Sequence, residues 1–156
     1  MEQVVNLTYD ELNVGDSATL VKEVTDRDIQ IFAYNSGDLN PIHLDEEYAA
    51  QHKFGKRVAH GMWVGSLLSA LMATKLPGAG GFYLSQELKF KTPVYIGDTL
   101  TVKVEVAQKK RRNIVELECT VTNQDGELAV KGVANIMIGN DRVTWPKPEL
   151  PEVQVL

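Results

Sequence analysis

The sequence predicts an α+β fold in which a long, curved antiparallel sheet wraps around one buried central helix, in a single domain spanning residues 1–156. Three observations predict it. In the stretch HGMWVGSLLSALMATKL, residues 60–76, apolar positions cover nearly the whole helical circumference: Met62, Trp63, Val64, Leu67, Leu68, Leu71, Met72 and Leu76. Gly65, Ala70 and Ala73 fill much of the rest, and a helix apolar on every side is expected to be buried on every side. A helix over residues 61–75 would run only about 22 Å, short of the roughly 20 apolar residues that cross a bilayer. The chain beyond this helix alternates apolar and polar residues over long runs, which reads as strands of about ten residues against a usual five or six. At about 3.3 Å per residue such strands are long enough to cover the helix lengthwise.

Taken in order, residues 1–16 are polar with scattered apolar positions, and Val14-Gly15-Asp16 is a turn signal. Residues 17–24 alternate around Ala18 and Leu20, predicting a strand. Thr25 offers an N-cap oxygen with Asp28 three residues on, an acidic variant of the capping box, so a helix runs to about Asn35 with Ile29, Phe32 and Ala33 on one face. Ser36-Gly37-Asp38 breaks it. Leu39 to His43 is expected to be irregular, since Pro41 disfavours helix at Asn40. Asp45 then caps a short helix over residues 46–52. Phe54-Gly55-Lys56-Arg57 delivers the chain to the central helix, which the run from Pro77 to Gly81 ends. That glycine run comes after a helix and precedes a strand, so it is no phosphate cradle.

Three strand candidates come next. Residues 82–91 alternate around Leu84, Leu88 and Phe90; residues 99–109 around Val102, Val104 and Val106; residues 114–122 around Val115, Leu117, Cys119 and Val121. Asn123-Gln124-Asp125-Gly126 is a hairpin signal, and residues 127–138 form the last predicted strand. The tail, residues 141–156, carries three prolines and is expected to be loosely ordered, with Trp145 able to pin part of it. One sheet around one helix leaves an outer face and an edge to hide, so a homodimer or higher homo-oligomer is expected, with room for a site at its seam.

The bulk numbers narrow the function. A net charge of −5 argues against nucleic acid as a partner, because such proteins usually carry a basic face. No stretch predicts a membrane span. The N-terminus has neither a basic n-region nor a long apolar h-region, from which a cytoplasmic location is expected. The one cysteine, Cys119, lies in an alternating run and reads as a small strand residue.

Chemistry concentrates around three histidines, His43, His52 and His60. Asp38 and His43 flank Asn40-Pro41, a turn that brings both ends of the segment together. A carboxylate and an imidazole on one spot can hold a water and move its protons, and burial would raise the Asp38 pKa. From spacing alone, a plainer role stands beside this: Asp38 capping a turn and His43 packing at a helix start. The central helix offers a second device, because its first amides lack intrahelical acceptors and its dipole puts partial positive charge there. Gly61 has no side chain to block a carbonyl oxygen from its N–H. His60 is read as fixing the loop. His43, Asp45, His52 and His60 match no zinc spacing, so no metal is expected.

The order of the segments carries a resemblance. Ser36-Gly37-Asp38-Leu39-Asn40-Pro41-Ile42-His43-Leu44-Asp45, then Tyr48-Ala49, Phe54-Gly55 and Ala59-His60-Gly61-Met62, resembles the hydratase motif of the MaoC-like family. That family is best known for (R)-specific enoyl-CoA hydratases of the hot-dog fold. Phe90-Lys91-Thr92-Pro93-Val94 with Gly97-Asp98 is similar to its next stretch, and the likeness spans roughly residues 14–138. The resemblance implies a hydro-lyase acting on acyl-CoA, reversibly converting a trans-2-enoyl thioester to an (R)-3-hydroxyacyl thioester without metal or redox cofactor. It implies Asp38 and His43 as the catalytic pair, Gly61 as oxyanion donor, Asn40 orienting the pair, and Ser69 near the site with Ser66 as its rival. Trp63, Met62 and Leu67 are the candidates to line or close the acyl tunnel, with Ser66 a further substrate-binding candidate, and the sequence does not say which of them point inward. Lys89, Lys91, Arg111 and Arg112 are candidates for the CoA phosphates, although most read as a solvated edge. Two rival functions remain: a hot-dog acyl-CoA thioesterase, disfavoured because residues 61–75 contain no acid, and a non-catalytic acyl-thioester-binding protein, which would not need the Asp38/His43 pair.

Overall fold

The apolar alternation of the second half of the chain folds as its spacing demands. The computed structural model describes residues 1–156. Its elements are β1 (Gln3–Val5), β2 (Ser17–Glu23), α1 (Asp26–Ser36), α2 (Pro41–Leu44), α3 (Glu46–Gln51), α4 (Gly61–Thr74), β3 (Phe82–Phe90), β4 (Thr99–Lys110), β5 (Ile114–Thr122), β6 (Leu128–Met137) and β7 (Thr144–Pro146). Five strands form one antiparallel sheet in the order β2-β4-β5-β6-β3. Alternate residues are buried over 100–106 of β4 and throughout β5: Leu100, Val102, Val104 and Val106 on one, Val115, Leu117, Cys119 and Val121 on the other. These side chains join Trp63, Val64, Leu68, Leu71 and Met72 of α4 in one core cluster. Cys119 is a wholly buried free thiol, and burial pushes its pKa up.

The helix α4 is not enclosed on every side. Met62 is 62% exposed, and Ser66, Ser69, Ala70 and Ala73 are exposed with it. Apart from Met62, small and weakly polar residues line this face, so leaving the rest of it open in one chain costs little. Beside it β3 is an unpaired sheet edge carrying exposed Phe82, Leu84 and Phe90. α4 comes close to β3 because two of its residues are glycines. A Cβ on Gly61 would lie 2.8 Å from the Phe90 ring, and one on Gly65 would lie 2.7 Å from Leu88 Cδ1.

Other departures from the sequence reading have local causes. Residues 41–44 form a one-turn helix instead of an irregular segment, because Pro41 occupies the first helical position and the Asn40 side chain caps the turn by accepting from the Ile42 N–H. A register shift between Tyr83 and Ser85 breaks the alternation of β3 and leaves Leu84 47% exposed. β6 is not the last strand: β7 pairs antiparallel with β1, with Val4 opposite Trp145. That pairing, together with the buried Asn6 amide, which donates to the Asp141 carbonyl and accepts from the Val143 N–H, anchors the start of the tail. Trp145 itself is 68% exposed, so backbone pairing and not the indole does the anchoring. Leu12, in the polar opening segment, is a fully buried core residue. The Thr25 capping box is present with Asp28 as its acid.

Leu68 is wholly buried at the centre of α4. Leu68→Ala is expected to destabilise the fold by about 3 kcal/mol, read as a lowered urea midpoint with unchanged slope.

Candidate active site

α1 ends on Gly37, whose left-handed φ of 76° lets its N–H close on the Ala33 carbonyl at 2.9 Å. The chain turns there and presents Asp38. The Asp38 carboxylate accepts from the Asn40 N–H at 3.2 Å, and Asn40 also caps α2, the turn that carries His43. Asn40 therefore sets both members of the pair, one through its backbone and one through its side chain.

His43 is held from several directions by one neighbouring segment. Its Nδ1 lies 2.7 Å from the Val58 carbonyl. A carbonyl only accepts, so the ring carries its proton on Nδ1 and leaves Nε2 as an acceptor. The Val58 N–H donates to the Ile42 carbonyl at 3.3 Å, and Arg57 Nη1 donates to the His43 carbonyl at 3.3 Å. Arg57 also bonds Asp26 at 2.8 Å and Glu46 at 2.6 Å, joining the starts of α1 and α3 to the same point. His60 lies against the pair. Its ring stacks on His43 with centroids 3.8 Å apart and planes at 27°, and its Nε2 donates to the Asp38 carbonyl at 3.1 Å. His60 is 1% exposed, and its Nδ1 is buried without a partner. Burial, with the adjacent His43 ring, pushes its pKa below the ordinary histidine value.

A carboxylate oxygen of Asp38 and one ring nitrogen from each of His43 and His60 lie within 4.8 Å of one another. Three such groups invite a metal, but these fit one poorly. A cation must lie near the plane of each imidazole it binds, and rings stacked this closely cannot both point at one ion without separating. One nitrogen of each is also engaged by a carbonyl. A water fits better. Two hydrogen bonds of about 2.8 Å from one tetrahedral water reach acceptors about 4.6 Å apart.

Asp38, His60 and Gly61 line a cleft of about 580 Å³, with Met62, Phe54 and Phe90 among its apolar walls. Gly61 opens α4, and the His60 side chain does not cap that end. Asp38, His43, Asn40, His60, Gly61 and Met62 thus come together. The other expected residues do not. Trp63 is buried in the core instead of lining the cleft. Ser66 Oγ is turned back on its own helix, donating to the Trp63 carbonyl at 2.5 Å. Ser69 lines a separate cavity of about 190 Å³ with Met72 and Tyr83. Asp45 caps α3, and His52 sits between Tyr48 and Phe54, so neither joins the cluster. Asp38 is exposed in the single chain. The sequence reading missed Arg57 and Val58 because their roles depend on contacts with α2 that no spacing announces.

Residues 15–127 match the MaoC-like domain family. The chain is 45% identical to a 3-hydroxybutyryl-CoA dehydratase of Methylorubrum extorquens over 131 residues, covering 80% of this chain and 83% of that one. It is 40% identical to an (R)-specific enoyl-CoA hydratase of Aeromonas caviae over 133 residues, 85% of this chain and 99% of that one. Its fold superposes on the unliganded R-hydratase PhaJ1 from Pseudomonas aeruginosa with a TM-score of 0.94, at 45% identity and 99% coverage of both chains.

Two outcomes are expected from this geometry. Arg57→Ala removes charge-assisted hydrogen bonds shared by α1, α2 and α3, and should cost about 2 kcal/mol, measured by urea unfolding. His60 has a folded pKa below its unfolded value near 6.5. Between those two values the unfolded chain binds more protons, so stability falls as pH falls through about 6.5. His60→Gln should flatten that acid limb when urea midpoints are compared at about pH 7.5 and 5.5.

Proposed function

Because the chain belongs to the MaoC-like domain family, we propose that its cleft adds water reversibly to trans-2-enoyl-CoA, giving (R)-3-hydroxyacyl-CoA. The observation that carries this is that a carboxylate oxygen of Asp38 and a ring nitrogen of His43 lie within 4.8 Å of each other, the reach of a single water, with Asp38 lining the same cleft as Gly61. Water donates one proton toward the Asp38 carboxylate and one toward His43 Nε2, which turns its lone pair to the substrate. The oxygen bonds to C3, and the π electrons move through C2 to the thioester oxygen. The Gly61 N–H, at the positive end of α4, stabilises that developing enolate. Collapse of the enolate takes a proton at C2 from the pair, on the face the water entered, so the pair ends as it began and the net change is one water added. Asn40 and His60 hold Asp38 and His43 in place. The residues present supply this acid–base chemistry without drawing on a metal or redox cofactor.

The alternative of a thioesterase is weaker. α4 carries no carboxylate that could serve as base or nucleophile. The assembly proposed is a homodimer in which a second copy covers the β3 edge and the open face of α4. No helix of the chain is long and apolar enough to cross a membrane.

Asp38→Asn and His43→Gln are each expected to cut crotonyl-CoA hydration by several orders of magnitude while preserving the circular dichroism spectrum. The loss is followed as enoyl absorbance, with chiral analysis of the wild-type product. Near-normal turnover in either variant removes that residue from the mechanism, and thiol release faster than loss of enoyl absorbance would establish the thioesterase instead.

A further inference from the structure

The cleft is not charged like the rest of the molecule. The chain carries a net charge of −5, which disfavours a polyanionic ligand. Yet Asp38 is the only acid lining the cleft, while two exposed lysines, Lys53 and Lys91, lie on its wall. They come from separate segments, one just after α3 and one just after β3. Neither has a carboxylate partner. The ion-paired lysines are Lys22, Lys89, Lys103, Lys110 and Lys147. Both segments are tied down by their backbones. The Gly55 N–H closes on the His52 carbonyl at 2.9 Å, and the Lys91 N–H donates to the Ala129 carbonyl at 2.8 Å. The Lys53 ammonium is 5.2 Å from the centre of the Phe54 ring, itself a wall of the cleft.

The other basic candidates fall away on position. Lys89 is paired with Glu87 at 3.4 Å. Arg111 and Arg112 sit in the β4–β5 turn, beside Ile114, which lies opposite Met137 at one end of β6. Lys91 bonds Ala129 at the other end of that strand. The two ends are about 25 Å apart at the rise of an extended strand.

We propose that Lys53 and Lys91 form a phosphate-binding pair at the cleft, taking the phosphate groups carried on the pantetheine arm of the acyl thioester. The assignment rests on the hydratase reading, since it supposes that the thioester end reaches Gly61. Two ammonium groups without carboxylate partners, brought to the same cleft from separate segments, supply directional donors and charge for phosphate oxygens. Their exposure makes the attraction sensitive to salt.

The test compares wild type with Lys53→Ala/Lys91→Ala on three thioesters: crotonyl-CoA, crotonyl-4′-phosphopantetheine and crotonyl-pantetheine. At low ionic strength the double variant should raise KM for crotonyl-CoA at least tenfold with kcat within twofold. Crotonyl-pantetheine, which has no phosphate, should show no difference between the two proteins. An effect that persists with the phosphopantetheine thioester assigns the lysines to the arm's own phosphate; one confined to crotonyl-CoA assigns them to the nucleotide phosphates. An unchanged KM for crotonyl-CoA, or an equal rise with crotonyl-pantetheine, overturns the proposal. If the wild type hydrates none of the three, the hydratase reading fails, and calorimetric binding of CoA to the two proteins still decides the pair: weaker binding in the variant upholds it, equal binding ends it.

Discussion

The bond from His43 Nδ1 to the Val58 carbonyl is the constraint on which the site depends. It fixes the tautomer, and so decides that Nε2 is the acceptor. It fixes the ring's direction, and so decides where a water shared with Asp38 can lie. The bond exists because the segment before α4 runs alongside α2, with Val58 bonded to Ile42 and Arg57 bonded to the His43 carbonyl. The same segment continues directly into His60 and Gly61. One short run of backbone therefore orients the imidazole and delivers the helix start, and the two halves of the chemistry keep their relation without a further device.

His60 adds a second layer to this arrangement. It is buried, stacked on His43 and bonded to the Asp38 main chain, so it touches both members of the pair without lining up as a third reactive group. Its lowered pKa favours a neutral ring at neutral pH. A neutral His60 places no charge against the His43 ring it stacks on.

Much of this was legible in the sequence, because it rests on local order. The alternation of Val102, Val104 and Val106 marked the buried face of β4 directly, and Thr25 with Asp28 marked the start of α1. Asp38, His43 and Gly61 stood out through their ordered surroundings. What stayed hidden depends on partners distant in the chain. β1 and β7 are three-residue strands that exist only because they pair with each other across the length of the chain. The bulge at Leu84 arises from the match between β3 and β6, not from either strand alone. The apolar wrap of α4 misled in one respect: glycine and alanine count as compatible with burial, yet they equally permit an open face. Trp63 was drawn to the tunnel by its neighbours in sequence, but helical rotation turns it into the core.

The two glycines of α4 meet Phe90 and Leu88, residues two apart on β3. Four helical residues rise about 6 Å and two strand residues about 6.6 Å, so notches and teeth share nearly one pitch. The two close approaches thereby register the start of the helix against the strand. The height of the Gly61 amide is then tied to the edge of the sheet, and on the proposed hydratase reading whatever holds that edge straight also sets the gauge at which the amide meets a substrate oxygen.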